Sequence, residues 1–109
     1  MKRDDFLDCI RELELDLFSR EFRNWVRQQT EEQKVKIRAL RTEVSVYRSQ
    51  IETDKLKVLA DKLDELAPEL EQGLADLQKE INEMNNFIAV LNIVGRVIGV
   101  ISRIVTLVI

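Results

Sequence analysis

The chain has 109 residues, with 17 Lys or Arg, 20 Asp or Glu and no histidine, which gives a formal net charge of −3. This length allows one domain with a modest core. The absence of histidine excludes the common His-dependent general bases and nucleophile pairs, and most zinc sites. Three glycines and one proline are too few for the many turns of a β-sheet protein, so the composition predicts an all-α fold.

The N-terminal segment offers neither a targeting signal nor a reactive site. Residues 1–10 mix acidic and basic side chains without an apolar run, unlike a secretory signal. Cys9, the single cysteine, lies on an apolar helical face, which favours a structural thiol over a nucleophile. The chain has no Gly-rich phosphate loop and no nucleophile elbow. We therefore expect no enzymatic activity, cofactor, metal site or small-molecule substrate.

Apolar residues at helical spacing predict two helices in the first half of the chain, over about 4–28 and 30–52. Thr30 and Gln33 match a capping box, in which each side chain bonds the backbone amide of the other residue. The positions on the two apolar faces are Phe6, Ile10, Leu13 and Leu17, and Ile37, Leu40, Val44, Tyr47 and Ile51. We expect these faces to pack against each other.

The heptad pattern continues through two further predicted helices, over about 54–67 and 68–84. Pro68 marks the boundary between them, because proline removes a backbone donor and disfavours a helix interior. The seam positions are Leu56, Leu59, Leu63, Leu66 and Leu70. Residues 1–84 are thus predicted to form a helical hairpin or a three-helix, coiled-coil-like body.

Charge is segregated along this body. Residues 20–48 contain eight Lys or Arg and four Glu, a local charge of +4, whereas residues 58–83 contain two basic and eight acidic side chains, a charge of −6. Aromatic residues between arginines can contact the phosphates of nucleic acid or lipid. We expect the basic segment to be a solvated face that pairs with the acidic segment. The acidic overall balance and the lack of a recognition motif argue against nucleic-acid binding.

Residues 85–109 are predicted to form an apolar C-terminal helix. Of the 23 residues from Phe87 to Ile109, 15 are Ile, Val, Leu or Phe. At about 1.5 Å per residue this segment spans roughly 34 Å, enough for a bilayer core of about 30 Å. Its apolar side chains favour insertion by roughly 7 kcal/mol, whereas Arg96 and Arg103 cost about 5–7 kcal/mol. Insertion of a single copy is therefore close to balanced.

The polar and small residues of this helix fall on one stripe. Asn92, Arg96, Gly99 and Arg103 recur at spacings of four and three. Such ionisable side chains normally face the interior of an assembly rather than lipid. Gly95 and Gly99 form a small-xxx-small pair that allows close packing between helices. The positions predicted to face lipid, or to form a core, are Phe87, Ile93, Val97, Ile101, Ile104 and Val108.

These features lead to two hypotheses. The first is a membrane-inserting, self-associating helical protein, either a pore or permeability effector or a tail-anchored scaffold, with its N-terminal body in the cytoplasm. Its partners would be further copies of itself and a lipid bilayer. The alternative is a soluble, cytoplasmic coiled-coil adaptor or structural protein, a homo-oligomer whose C-terminal helix is the core between subunits. In a soluble bundle the two arginines would pair with acids from residues 58–83.

Overall fold

A computed structural model describes residues 3–52 and 60–106 of the chain. These residues form five α-helices and contain no β-strand, which confirms the all-α fold. The helices are α1 (Arg3–Phe18), α2 (Arg20–Arg27), α3 (Glu31–Glu52), α4 (Ala60–Glu83) and α5 (Phe87–Thr106).

The segment predicted as one helix over 4–28 is divided in two at Ser19. The Ser19 backbone is extended, with φ −62° and ψ 154°, and its Oγ accepts a hydrogen bond from the Phe22 amide at 3.2 Å. Serine at this position caps α2, because its side chain satisfies an amide that has no partner within the helix. The break turns α2 away from α1 and lets Phe22 reach the core, where it is fully buried.

Helix α3 begins where the capping box predicted. The Gln33 amide donates to Thr30 Oγ1 at 3.2 Å, and the Thr30 amide donates to Gln33 Oε1 at 3.4 Å. The seam of α3 faces the core. Ile37, Val44 and Ile51 are fully buried, and the intervening seam residues Leu40 and Tyr47 are partly buried. A spacing of seven residues keeps these side chains on one side of the helix.

The predicted division at Pro68 is absent, because one helix runs from Ala60 to Glu83 with Pro68 inside it. Proline within a helix costs about 3 kcal/mol. Pro68 lies on the exposed side, and the seam around it is buried at Leu63, Leu66 and Leu70. Packing of this seam offsets the proline cost. Residues 54–59 of the predicted helix, with Leu56 and Leu59, lie outside the described residues.

Four of the helices form a bundle in which α1 packs against α3, α3 against α5, α5 against α4, and α4 against α1. The short helix α2 covers the end at which α3 and α5 both begin. Helices α1 and α3 are antiparallel, with Arg11 close to Glu52 and Glu14 close to Arg48. Helices α4 and α5 are also antiparallel, and α5 supplies nine buried side chains to the core.

Polar side chains join α1 to α3. Glu14 accepts a hydrogen bond from Ser45 Oγ at 2.7 Å and pairs with Arg48 Nε at 2.8 Å. Arg11 donates to Glu52 Oε1 at 3.0 Å. The expectation that the basic segment pairs with residues 58–83 is therefore corrected at Arg48, whose partners Glu14 and Glu52 lie on α1 and on α3 itself.

Candidate functional site

A three-residue connection between α4 and α5 sets the direction of the apolar helix. Met84, directly after α4, adopts φ +49°, and its amide donates to the Glu80 carbonyl at 3.0 Å. This is a left-handed helix cap, a conformation that costs a non-glycine residue roughly 1–2 kcal/mol. Asn86 then caps α5 by accepting a hydrogen bond from the Ala89 amide at 3.1 Å. The chain thus folds back near Asn85, which places α5 antiparallel to α4.

The inner face of α5 carries the side chains predicted to face lipid or to form a core. Phe87, Val97, Ile101 and Ile104 are at most 5% exposed. Ile93 is partly buried and packs against the core. Val108 lies outside the described residues. In the folded chain this face of α5 is therefore the centre of the bundle.

Three aromatic rings fix the start of α5 against α2. The Phe87 ring lies 6.1 Å from Phe22 in a stacked arrangement and 5.1 Å from Trp25 edge to face. Phe22 and Trp25 also meet edge to face at 6.1 Å. Aromatic pairs of this kind add about 0.5–1.5 kcal/mol beyond burial of their area. The cluster links the connection at residues 84–86 to the end of the bundle that α2 covers.

Helix α5 packs tightly against α4 at Gly73, a position that sequence reasoning did not single out. A Cβ atom placed there would lie 2.7 Å from Val97 Cγ2 and 4.0 Å from Val97 Cβ. A larger residue would therefore require Val97 or one of the two helices to shift. The available signal was glycine itself, which costs about 1 kcal/mol relative to alanine in a helix interior and therefore calls for a packing reason.

The polar stripe lies on the outer face of α5. Asn92, Gly99 and the two arginines are exposed. Arg96 pairs with Asp76 at 2.7 Å and Arg103 with Glu69 at 2.8 Å, and both acids belong to α4. The hydrogen bond from Arg96 lowers the pKa of Asp76 below its ordinary value of 3.8. The arginines thus have carboxylate partners at the surface, as expected under the hypothesis of a soluble bundle.

The predicted close-packing pair, Gly95 and Gly99, faces away from the bundle. A Cβ atom at either glycine would meet no heavy atom within 4 Å. Neither glycine therefore brings two helices of this chain together, and their role between chains stays a prediction. Beside Gly95 lies a groove between α3 and α5, with Leu40, Ile88 and Leu91 in its lining. Ile88 is 58% exposed there.

Two further features bear on chemical activity: the environment of Cys9, and the grouping of possible metal ligands. Cys9 is half-buried. Burial is the main cause that raises the pKa of its thiol, and the negative charge of Glu12 raises this pKa further. Because the thiolate is the nucleophilic form, this environment is the opposite of an activating one. Across residues 3–52 and 60–106, no three His, Cys, Asp or Glu side chains are grouped so that they could hold a metal ion.

Within the described residues, one helix is long and apolar enough to cross a membrane. It covers Phe87–Val105, 19 residues with a mean hydropathy of 1.9, and 44% of it is buried in the bundle. The core helix of a soluble bundle meets the same criterion of length and composition. No protein-family model matches the chain, and neither a curated protein nor a solved structure is detectably similar to it.

Proposed function

We propose that this is a membrane-inserting, self-associating helical protein that stores α5 inside a closed bundle until the helix enters a bilayer. The observation that carries the proposal is the span Phe87–Val105, whose apolar face is covered by the chain's other helices in water. Its 19 residues extend about 28 Å, close to the thickness of a bilayer core. The same apolar face packs against other helices in the closed bundle and contacts lipid in the inserted state.

The contacts that hold α5 support its release. Two ion pairs join α5 to α4, Arg96–Asp76 and Arg103–Glu69, and their side chains are 39–55% exposed. Exposed ion pairs contribute little to stability because water and salt screen them, so these pairs orient α5 more than they retain it. Retention depends on apolar packing, and lipid replaces that environment. The connection at residues 84–86 then acts as the hinge between the stored and inserted helix.

Self-association is expected because Arg96 and Arg103 make insertion of a single helix into lipid costly. Two arginines nearly cancel the gain from the apolar side chains of one inserted copy. Several copies reduce that cost if Asn92, Arg96, Gly99 and Arg103 face a common, hydrated axis. In the bundle this stripe already faces outward, and Gly95 and Gly99 leave room for another helix. Such an assembly is a pore if water fills its axis and a scaffold if side chains close it.

The direct test is co-flotation of the full-length protein with phosphatidylcholine vesicles, followed by alkaline extraction and protease protection of α5. The proposal expects the protein to float, to resist extraction, and to require detergent for release. Protein that stays monodisperse without detergent and does not float contradicts it. Release of a trapped dye separates a pore from a scaffold. Arg96→Leu with Arg103→Leu should strengthen insertion but abolish dye release from a pore.

The second candidate is a soluble homo-oligomeric adaptor or structural protein in which α5 never leaves the bundle. The surface pairs Arg96–Asp76 and Arg103–Glu69 favour it, because they supply the arginines with partners in water. Copies would then associate through the outer face of α5. Light scattering in the absence of detergent separates the candidates, since only this one gives a discrete oligomer with no affinity for vesicles.

A further inference from the structure

Five basic side chains converge on one concavity between α2 and α3. It has a volume of about 210 Å³ and is lined by Arg23, Val26, Arg27, Lys34, Arg38 and Arg41. No acidic residue is part of this lining. Val26 is 6% exposed and supplies an apolar floor. The concavity is therefore a cationic cup, in which Arg23, Arg27 and Arg38 are exposed and Lys34 and Arg41 are partly buried.

Helical spacing explains why these cations meet. Arg23 and Arg27 are four residues apart and share one face of α2, and Lys34, Arg38 and Arg41 share one face of α3 at spacings of four and three. The helices are joined by only three residues, 28–30, so the two faces stand opposite each other. Sequence reasoning recognised the basic segment but not the convergence, which depends on the α2 break at Ser19.

The positive charge in this cup is poorly compensated. Across residues 3–52 and 60–106, no carboxylate lies within ion-pair distance of Arg23, Arg38 or Arg41. Lys34 pairs at 3.3 Å with Glu31, which is 82% exposed. Burial, with the charges of Arg38 and Arg23, lowers the pKa of Arg41. Neighbouring cations thus repel one another here, and a bound anion would relieve that repulsion.

We infer that this cup, between α2 and α3, binds a phosphate group, and that its source is the headgroup of an anionic phospholipid. Guanidinium groups recognise phosphate through paired, charge-assisted hydrogen bonds, and a phosphate monoester carries about −1.5 to −2 charges at pH 7. The choice of a lipid source rests on the proposed function, whereas binding of a phosphate group does not. Phe22 and Trp25 of the same helix α2 contact Phe87, so a headgroup held there lies one helix away from the start of α5.

The test compares two charge-matched double variants of the full-length protein. Arg23→Gln with Arg38→Gln removes one cation from each side of the cup. Arg20→Gln with Lys36→Gln removes one cation from each of the same helices outside it. Each is titrated with phosphatidylcholine vesicles with and without phosphatidic acid, with glycerol 3-phosphate, and with a short DNA duplex. Circular dichroism verifies that both variants keep the helical content of the wild type.

We expect the cup variant to lose at least about tenfold in affinity for phosphatidic acid vesicles, and the control less than about threefold. Equal losses in the two variants, or an equal loss of affinity of the cup variant for neutral vesicles, overturn a localised site. Selective binding of glycerol 3-phosphate without vesicle binding supports the phosphate site and overturns its lipid source. Tighter binding of DNA, lost in the cup variant, overturns the lipid assignment. Protease protection of α5 is scored separately, so failed insertion with retained headgroup binding contradicts only the proposed function.

Discussion

The two antiparallel helix pairs of this bundle are held together in different ways. Between α1 and α3, Glu14 accepts a hydrogen bond from Ser45 and forms an ion pair with Arg48, and the two side chains of this pair are 23–30% exposed. Between α4 and α5, the Val97 side chain packs closely against Gly73 and the polar contacts are exposed. Apolar packing does not distinguish a protein neighbour from lipid, whereas a half-buried polar network does. The α4–α5 pair is therefore the part of the bundle suited to exchange its environment.

The largest expected effect comes from removing the ring that anchors α5. Phe87→Ala should lower the free energy of unfolding by about 3–5 kcal/mol, because it leaves a cavity beside Phe22 and Trp25. Phe18→Ala is the matched control, since Phe18 is 43% exposed, and it should cost about 1 kcal/mol or less through its contact with Arg41. Urea denaturation followed by Trp25 fluorescence measures both. Similar losses in the two variants would mean that α5 is not anchored by this cluster.

The three glycines sharpen the comparison within one helix pair. Gly73→Ala should lower the free energy of unfolding by about 1–2 kcal/mol, because a clash with Val97 exceeds the gain in helix propensity. Gly95→Ala and Gly99→Ala meet open space, so each should raise it by up to about 1 kcal/mol in detergent-free solution. Thermal unfolding by circular dichroism measures all three. A stabilising Gly73→Ala would refute the close approach of α4 and α5.

The polar contacts of the two pairs should differ in cost. Arg48→Met removes a half-buried partner of Glu14 and should lower the free energy of unfolding by about 1–2 kcal/mol. Arg103→Met removes an exposed partner of Glu69 and should cost less than about 1 kcal/mol. Both remove one guanidinium and keep a long apolar side chain. If the Arg103 variant is the less stable of the two, ion pairs rather than apolar packing retain α5.

The smallest expected effects are two opposite dependences of folding stability on pH, one from Asp16 and one from Asp76. Burial raises the pKa of Asp16 above 3.8, whereas the Arg96 hydrogen bond lowers that of Asp76 below it. The Asp76 contribution to stability is present above the ordinary pKa and is lost as the pH falls through the lowered value. Asp16 ionisation instead opposes folding at neutral pH, and protonation relieves that opposition.

Chemical denaturation of Asp76→Asn and Asp16→Asn across the range from pH 7 to below pH 3.8 measures these signatures. Asp76→Asn should be less stable than the wild type at pH 7, and the difference should disappear only in acid below 3.8. Asp16→Asn should be more stable at pH 7, and its advantage should shrink as the pH falls toward 3.8. Curves that shift in the same direction for both variants would contradict the assigned environments.

Periodicity and capping chemistry were sufficient to predict much of the fold. The all-α class, the start of α3 at Thr30 and the inward seam of Ile37, Val44 and Ile51 follow from local rules that act within one or two helical turns. The break at Ser19 and the continuity through Pro68 did not follow. Both depend on tertiary packing: Phe22 gains burial when α2 turns, and the Leu63–Leu70 seam offsets the proline cost.

The candidate site was predictable in its parts but not in its pairing. The spacing of Asn92, Arg96, Gly99 and Arg103 placed them on one stripe, and all four residues are exposed on α5. Which acids meet Arg96 and Arg103 depends on the turn at residues 84–86, which sets the register of α4 against α5. Gly73 and the cationic cup depend in the same way on contacts between helices, which a single helix pattern does not contain.

The most direct test of the proposal that α5 leaves the bundle to enter a bilayer is a reversible disulfide between α4 and α5. Gly73→Cys with Val97→Cys, in a Cys9→Ser background, places two Cβ atoms about 4.0 Å apart, within the range for a disulfide. Val97→Cys in the same background, which cannot form this bond, is the control. If α5 must leave α4 to insert, the oxidised double variant does not co-float with phosphatidylcholine vesicles. After reduction, the same variant co-floats with them and resists alkaline extraction. Equal flotation and extraction resistance of the oxidised and reduced protein would show that α5 need not leave α4, and would contradict the proposal.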